Sequence, residues 1–189
     1  MKKSTRFLSL LLSIIVILSI LPVSSLAAEA TGLDNFKKVN SYKSSTYTDV
    51  KSGDWFYDNV KSAFEYGLMI GKGNKRFDTD GNVTIAEIMT IAARLHSTYY
   101  TGKADFVQSS PWYQVYADYC KANGIADLAL YVMDASATRA QFAQILANAV
   151  PDEAWEAINK IADNAIPDVQ MTDSFSAAVY KLYRAGRRL

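Results

Sequence analysis

Apolar residues recur at helical spacing in stretches that come in pairs. Phe56, Val60, Ala63 and Phe64 fall on one helix face, and Tyr113, Tyr116, Ala117 and Cys120 do the same further along. Trp55 precedes Gly67 by twelve residues, and Trp112 precedes Gly124 by the same twelve. Each glycine stands where a helix end needs a residue able to adopt positive φ. A second helix follows each first one. Thr84-Ile85-Ala86-Glu87 opens the run Ile88, Ile91, Ala92, Leu95, and Thr138-Arg139-Ala140-Gln141 opens Phe142, Ile145, Leu146, Ala149, stopped by Pro151. Both openings read as capping boxes, in which Thr accepts from the third helical amide and Glu or Gln reaches back.

Two copies of helix, loop and capped helix make an internal repeat. A third copy is half present. Asp168-Val169 repeats Asp49-Val50 at an offset of 119 residues, which also maps Val60 onto Val179, Ala63 onto Leu182, Phe64 onto Tyr183 and Gly67 onto Gly186. No capped helix follows before Leu189. The expected organisation is a polar, flexible linker over 29–46, repeat one over 47–108 and repeat two over 109–150. A connecting helix follows over 151–165, opened by Asp152-Glu153-Ala154-Trp155 and running through Ile158 and Ile161, then a truncated third repeat over 166–189.

The amino end reads as an address. Lys2, Lys3 and Arg6 precede an apolar run from Phe7 to Leu21, then Pro22 and a small-residue stretch ending Ala27-Ala28. This is the layout of a secretory signal over 1–28, cut after Ala28; fifteen apolar residues fall short of the ~20 that span a bilayer. Losing Lys2, Lys3 and Arg6 from the 20 basic residues leaves 17 against 19 acidic. The exported chain thus carries no electrostatic case for nucleic acid and no stretch that holds it in a membrane. With 50% hydrophobic residues it is not a disordered chain. One Cys and one His exclude a disulfide framework and a Cys/His zinc site within the chain. Cys120 reads as a small core residue.

These motifs in this order resemble the S-layer homology family. Repeat one supplies Tyr47-Thr48-Asp49-Val50, Trp55, Gly67, Gly71, Gly73, Phe77 and Thr84-Ile85-Ala86-Glu87. Repeat two supplies Trp112, Gly124 and Thr138-Arg139-Ala140-Gln141, and repeat three supplies Ile166-Pro167-Asp168-Val169 and the helix to Gly186. The resemblance implies an all-α fold of tandem helix–loop–helix repeats in a pseudo-threefold, three-pronged arrangement, with the third repeat incomplete. It implies a secreted, non-catalytic module without cofactor or metal, attached to the bacterial cell wall or S-layer through acidic, pyruvylated secondary cell-wall polysaccharide.

Within that resemblance the ligand positions are Arg139, Thr138, Trp112, Gly124, Trp55, Gly67, Asp49 and Asp168. The family's Arg lands on Arg139, whereas repeat one has Ile85 there. A guanidinium can hold a carboxylate through two parallel hydrogen bonds, and near a helix start it sits beside free amides that favour an anion. Each position also has a structural reading. Trp55 and Trp112 begin amphipathic helices where aromatic rings ordinarily enter the core. Gly67 and Gly124 are accounted for by helix termination, and Asp49 and Asp168 can cap turns. Arg139 can be a solvated residue of a first helical turn.

Three other features carry less. The loop Asp78-Thr79-Asp80-Gly81-Asn82 departs from the EF-hand template at Val83 and Met89 and reads as a tight turn before Thr84. His96 has no nucleophile or second His beside it, and as a cation would suit a helix C-terminus. Arg184, Arg187 and Arg188 form a basic tip. The rival to glycan anchoring is a structural module that binds a surface-protein partner through an uncovered apolar face.

Overall fold

The computed structural model describes residues 32–186; the secretory-signal segment 1–28 and the end of the basic tip, Arg187 and Arg188, lie outside them. Five α-helices carry the described fold: α1 Tyr57–Glu65, α2 Ile85–Thr101, α3 Gln114–Ala122, α4 Arg139–Ala147 and α5 Ser176–Ala185. The all-α expectation holds, since the only β-type pairings among the described residues are two isolated bridges. None of the described helices is long and apolar enough to cross a membrane.

Both capping boxes form. Thr84 Oγ1 accepts from Glu87 N at 3.3 Å while Glu87 Oε2 accepts from Thr84 N at 2.9 Å. Thr138 and Gln141 repeat the exchange at 3.2 and 2.9 Å. The first helix of each pair ends in a left-handed glycine: Gly67 at φ 71° and Gly124 at φ 68°. The next two amides then fold back onto one carbonyl. Leu68 N and Met69 N donate to Ala63 O at 2.9 and 3.1 Å, and Ile125 N and Ala126 N to Cys120 O at 2.8 and 3.4 Å. Gly186 departs from this pattern: it is extended, at φ −84° and ψ 152°.

Helix α2 is central. It packs on α3 and α4, while α4 in turn packs on α5. The main core joins Ile85, Ile88, Met89 and Ala92 of α2 to Tyr116, Ala117 and Cys120 of α3, with Ile145 of α4 closing it. Two satellites flank it. One is an aromatic cluster of Tyr47, Val50 and Val60 with Tyr42, Phe64 and Phe77. The other gathers Ala143, Ile166, Val169, Val179 and Tyr180. The entries to the two capped helices pair with each other: the first two amides of α2, Ile85 N and Ala86 N, donate to Ala135 O and Met133 O at 3.0 and 2.9 Å, and Ala137 N to Val83 O at 2.8 Å.

Two expected segments are corrected. Residues 32–46, within the stretch read as a flexible linker, are built into the fold. Gly32 N and the Asn35 amide both reach Tyr99 O at 2.9 Å, and the Tyr42 ring meets Tyr57 edge-on at 5.6 Å. The expected connecting helix is one short 3-10 turn, Asp152–Ala154, followed by irregular chain. Its apolar residues serve tertiary pairing and not a helix stripe: Ile158 N and Asn159 N both donate to Arg184 O at 2.9 Å, and Asn159 Nδ2 to Tyr183 O at 3.0 Å. The lead-in does the same 119 residues earlier. Val39 N and Asn40 N donate to Glu65 O at 2.8 and 3.1 Å, and Asn40 Nδ2 to Phe64 O at 2.8 Å. The same set of hydrogen bonds thus recurs at the 119-residue offset, upstream of α1 and of α5 alike.

Candidate functional site

Arg139 is the first residue of α4, next to the Thr138 cap, and its side chain lies on the surface. Its Nη2 donates to Tyr183 Oη at 2.5 Å, and its Nη1 lies 3.7 Å from Asp168 Oδ2. Tyr183 belongs to α5 and Asp168 to the chain just before it, so the site joins the start of α4 to the α5 region. The ion pair is loose and solvated, with the Arg139 and Asp168 side chains 79% and 71% exposed. It is worth at most about 1 kcal/mol in water. The guanidinium therefore keeps most of its donors for a ligand.

Around this head lies a groove of about 1220 Å³ whose walls mix Thr138, Arg139, Lys160 and Asp168 with apolar Ile161 and Phe175. The start of α4 adds a second feature. Ile85 N and Ala86 N, the matching amides of α2, are spent on Met133 and Ala135 carbonyls. Among the described residues Arg139 N and Ala140 N have no protein acceptor. Free amides at a helix start favour an anion.

Three of the eight expected ligand positions, Thr138, Arg139 and Asp168, thus meet in one groove; the other five do not line it. Trp55 and Trp112 are surface side chains, 74% and 47% exposed. The core reading fails for both, and each ring instead packs edge-on against its neighbour Phe56 or Tyr113. Gly124 is an open helix terminus. Gly67 borders a different, smaller cleft and is crowded: a Cβ there would come within 2.8 Å of Val39 Cγ2.

Asp49 is a loop clamp. Its carboxylate accepts from Phe77 N at 2.9 Å and Asp78 N at 2.8 Å, with Arg76 Nε 3.7 Å away. Burial alone would raise its pKa, but the amides of Phe77 and Asp78 together with Arg76 bring it below the ordinary value. The clamp closes the glycine-rich loop, where Gly71 at φ 74° leaves no room for a Cβ against Arg76 O and the Tyr47 ring. In the same loop Gly81 N donates to Asp78 O at 3.1 Å, forming the tight turn expected before Thr84. The Asp78 carboxylate is engaged by Lys72 at 3.3 Å and Arg76 at 3.5 Å.

His96 differs from expectation. It sits inside α2, half-buried, with Nδ1 2.9 Å from Tyr119 Oη, and burial lowers its pKa. Burial thus favours its neutral form, and it packs within the helix instead of ending it. Cys120 is fully buried, as expected, and burial pushes its thiol up to about 12. Tyr183 is the groove residue that sequence reasoning passed over. Its signal was available: the 119-residue offset replaces Phe64 with a phenol.

The family model described as "S-layer homology domain" matches residues 46–88, the stretch that holds α1, its left-handed glycine, the clamped glycine-rich loop and the capped start of α2. A further likeness is to the middle cell wall protein of Brevibacillus brevis, 38% identical over 71 residues. That alignment takes in 38% of this chain and 7% of the relative's length. No solved structure matches the chain.

Proposed function

We propose that the chain is an exported, non-catalytic module that attaches to the cell wall by gripping an acidic secondary wall polysaccharide in the Arg139 groove. The carrying observation is a guanidinium held at one edge by Tyr183, only loosely paired with Asp168, beside two helix-start amides without acceptors. A sugar carboxylate, such as a pyruvyl group, would take the open edge of Arg139 through two parallel hydrogen bonds. Asp168 would then accept from sugar hydroxyls, and the apolar wall at Ile161 and Phe175 would cover a ring face. Repeat one offers no equivalent, since Ile85 is buried and its amide is taken.

The test is cosedimentation of residues 29–189, which contain the whole described fold, with purified wall sacculi before and after chemical removal of secondary polymer. Retention should disappear with the polymer and fall in Arg139→Ala. Undiminished retention of Arg139→Ala would overturn this assignment of the site. A second reading, docking to a surface protein, draws on Leu130 and Val132, both 71% exposed on the loop before α4. Retention that survives polymer removal and is lost in Leu130→Ser/Val132→Ser would favour it.

A further inference from the structure

We propose a second, separate site: a cleft at the far end of α2 that binds a single oxyanion of a polymer, with Lys37, Arg94 and Lys103 as its cationic wall. The cleft has a volume of about 400 Å³, within the ~300–1,000 Å³ range usual for small-ligand sites. It exists because the two capped helices differ in length: α2 has 17 residues and α4 has 9. Aligned on their capping boxes, Arg94 is the first position of α2 beyond the point where α4 stops. Gly102, at φ 72°, then turns the chain back so that Lys103 to Asp105 form the opposite wall. The lead-in supplies Lys37, and Gly67 forms part of the lining.

Arg94 carries the inference. It is partly buried and held by neutral groups only: Nη1 donates to Leu68 O at 3.4 Å, Nη2 to Tyr116 Oη at 3.1 Å, and the guanidinium lies 5.4 Å from the Tyr116 ring centre. A charge partly withdrawn from water ordinarily finds a counter-charge. None of the described carboxylates pairs with Arg94, and none pairs with Lys37 or Lys103, whereas the adjacent Lys38 is bound to Glu65 at 2.7 Å.

The competing explanation is that these cations serve the carboxyl ends of α1 and α2, which also face this region. Charge counting decides between them. Three unit cations line the cleft against one acid, Asp105, and two helix ends are worth roughly half a negative charge each. About one positive charge remains, which fits a monoanion such as a sugar carboxylate. The cleft shares none of its lining with the Arg139 groove.

The experiment is an amide-resonance titration of ¹⁵N-labelled residues 29–189 with glucuronate, with glucose as the neutral control and inorganic phosphate as the alternative oxyanion. Glucuronate should move the resonances of Gly67, Gly102 and Lys103, equally in wild type and Arg139→Ala. The exposed double variant Lys37→Glu/Lys103→Glu should weaken this by about tenfold or more, at unchanged thermal midpoint. A larger response to phosphate would keep the site and identify a phosphate-bearing polymer as its source. Equal shifts with glucose, shifts untouched by the double charge reversal, or none from either anion would overturn it. Sacculus retention in Arg139→Ala tests the wall-binding reading independently, so the two failures are distinguishable.

Discussion

Asp49 and Asp168 occupy the same position 119 residues apart, and the structure gives them different work. The Asp49 carboxylate receives two backbone amides at 2.9 and 2.8 Å, one on each oxygen, with the side chain 20% exposed. Asp168 is 71% exposed and makes one loose ion pair at 3.7 Å. Asp49→Asn keeps a single carbonyl acceptor and turns an NH₂ toward the other amide. One charge-assisted hydrogen bond is lost, a cost of about 1.5–3 kcal/mol, or roughly ten- to hundredfold in the folding equilibrium. Asp168→Asn removes only a solvated pair and should cost about 0–1 kcal/mol. Urea unfolding of residues 29–189 at pH 7, followed by circular dichroism, measures both. The pH dependence checks the cause. Because the Asp49 pKa is depressed in the fold, its stabilisation is complete above the ordinary carboxylate value near 4 and is lost as pH falls through the lower folded value. The gap between wild type and Asp49→Asn should therefore close in acid. Equal destabilisation by the two substitutions, or a gap that persists below the folded pKa, would refute the clamp.

Ile88→Ala should destabilise by about 2–5 kcal/mol, since Ile88 is fully buried in the main core. Ile158→Ala, at a side chain 58% exposed, should stay within about 0.5 kcal/mol; similar urea midpoints for the two would contradict the placement of the core. Cys120, buried and with its thiol pushed up to about 12, should resist a disulfide reagent at pH 8 until urea unfolds the chain, and immediate native labelling would show the opposite. For His96 the folded pKa lies below the ordinary 6.5, so the unfolded chain takes the proton first as pH drops. Stability should decline below about pH 6.5 and level off under the folded pKa. His96→Gln should flatten that decline in urea midpoints between pH 7.5 and 5; an unaltered slope would assign it to other groups.

Helix starts and ends were the most legible features. Thr84 with Glu87 and Thr138 with Gln141 cap their helices through contacts three residues apart, and Gly67 and Gly124 end theirs through a single residue's φ. Local rules of this kind act within one turn of chain, so spacing alone reveals them. Trp55 and Trp112 show where such rules stop. A helix-starting aromatic was expected in the core, yet both indoles lie on the surface, each two residues ahead of its helix and so outside the helical register that points Val60 and Ala117 inward.

The candidate site was half legible. Arg139 and Thr138 are neighbours in sequence and share a cap, but Asp168 and Tyr183 reach them only because α5 packs on α4. Asp49, assigned the same role as Asp168 by offset, is instead consumed by the glycine-rich loop that follows α1.

Periodicity and capping boxes determined by themselves that this chain is helical and where α2 and α4 begin, because each depends on residues within one or two helical turns. Tertiary structure alone decided that 32–46 is folded and that 151–165 is not a helix. Val39, Asn40, Ile158 and Asn159 send their amides to the ends of helices 24–26 residues away, to the carbonyls of Glu65 and Arg184 and, through the Asn side chains, of Phe64 and Tyr183. A backbone amide looks the same in every residue, so no local pattern of side chains announces which distant carbonyl it will meet.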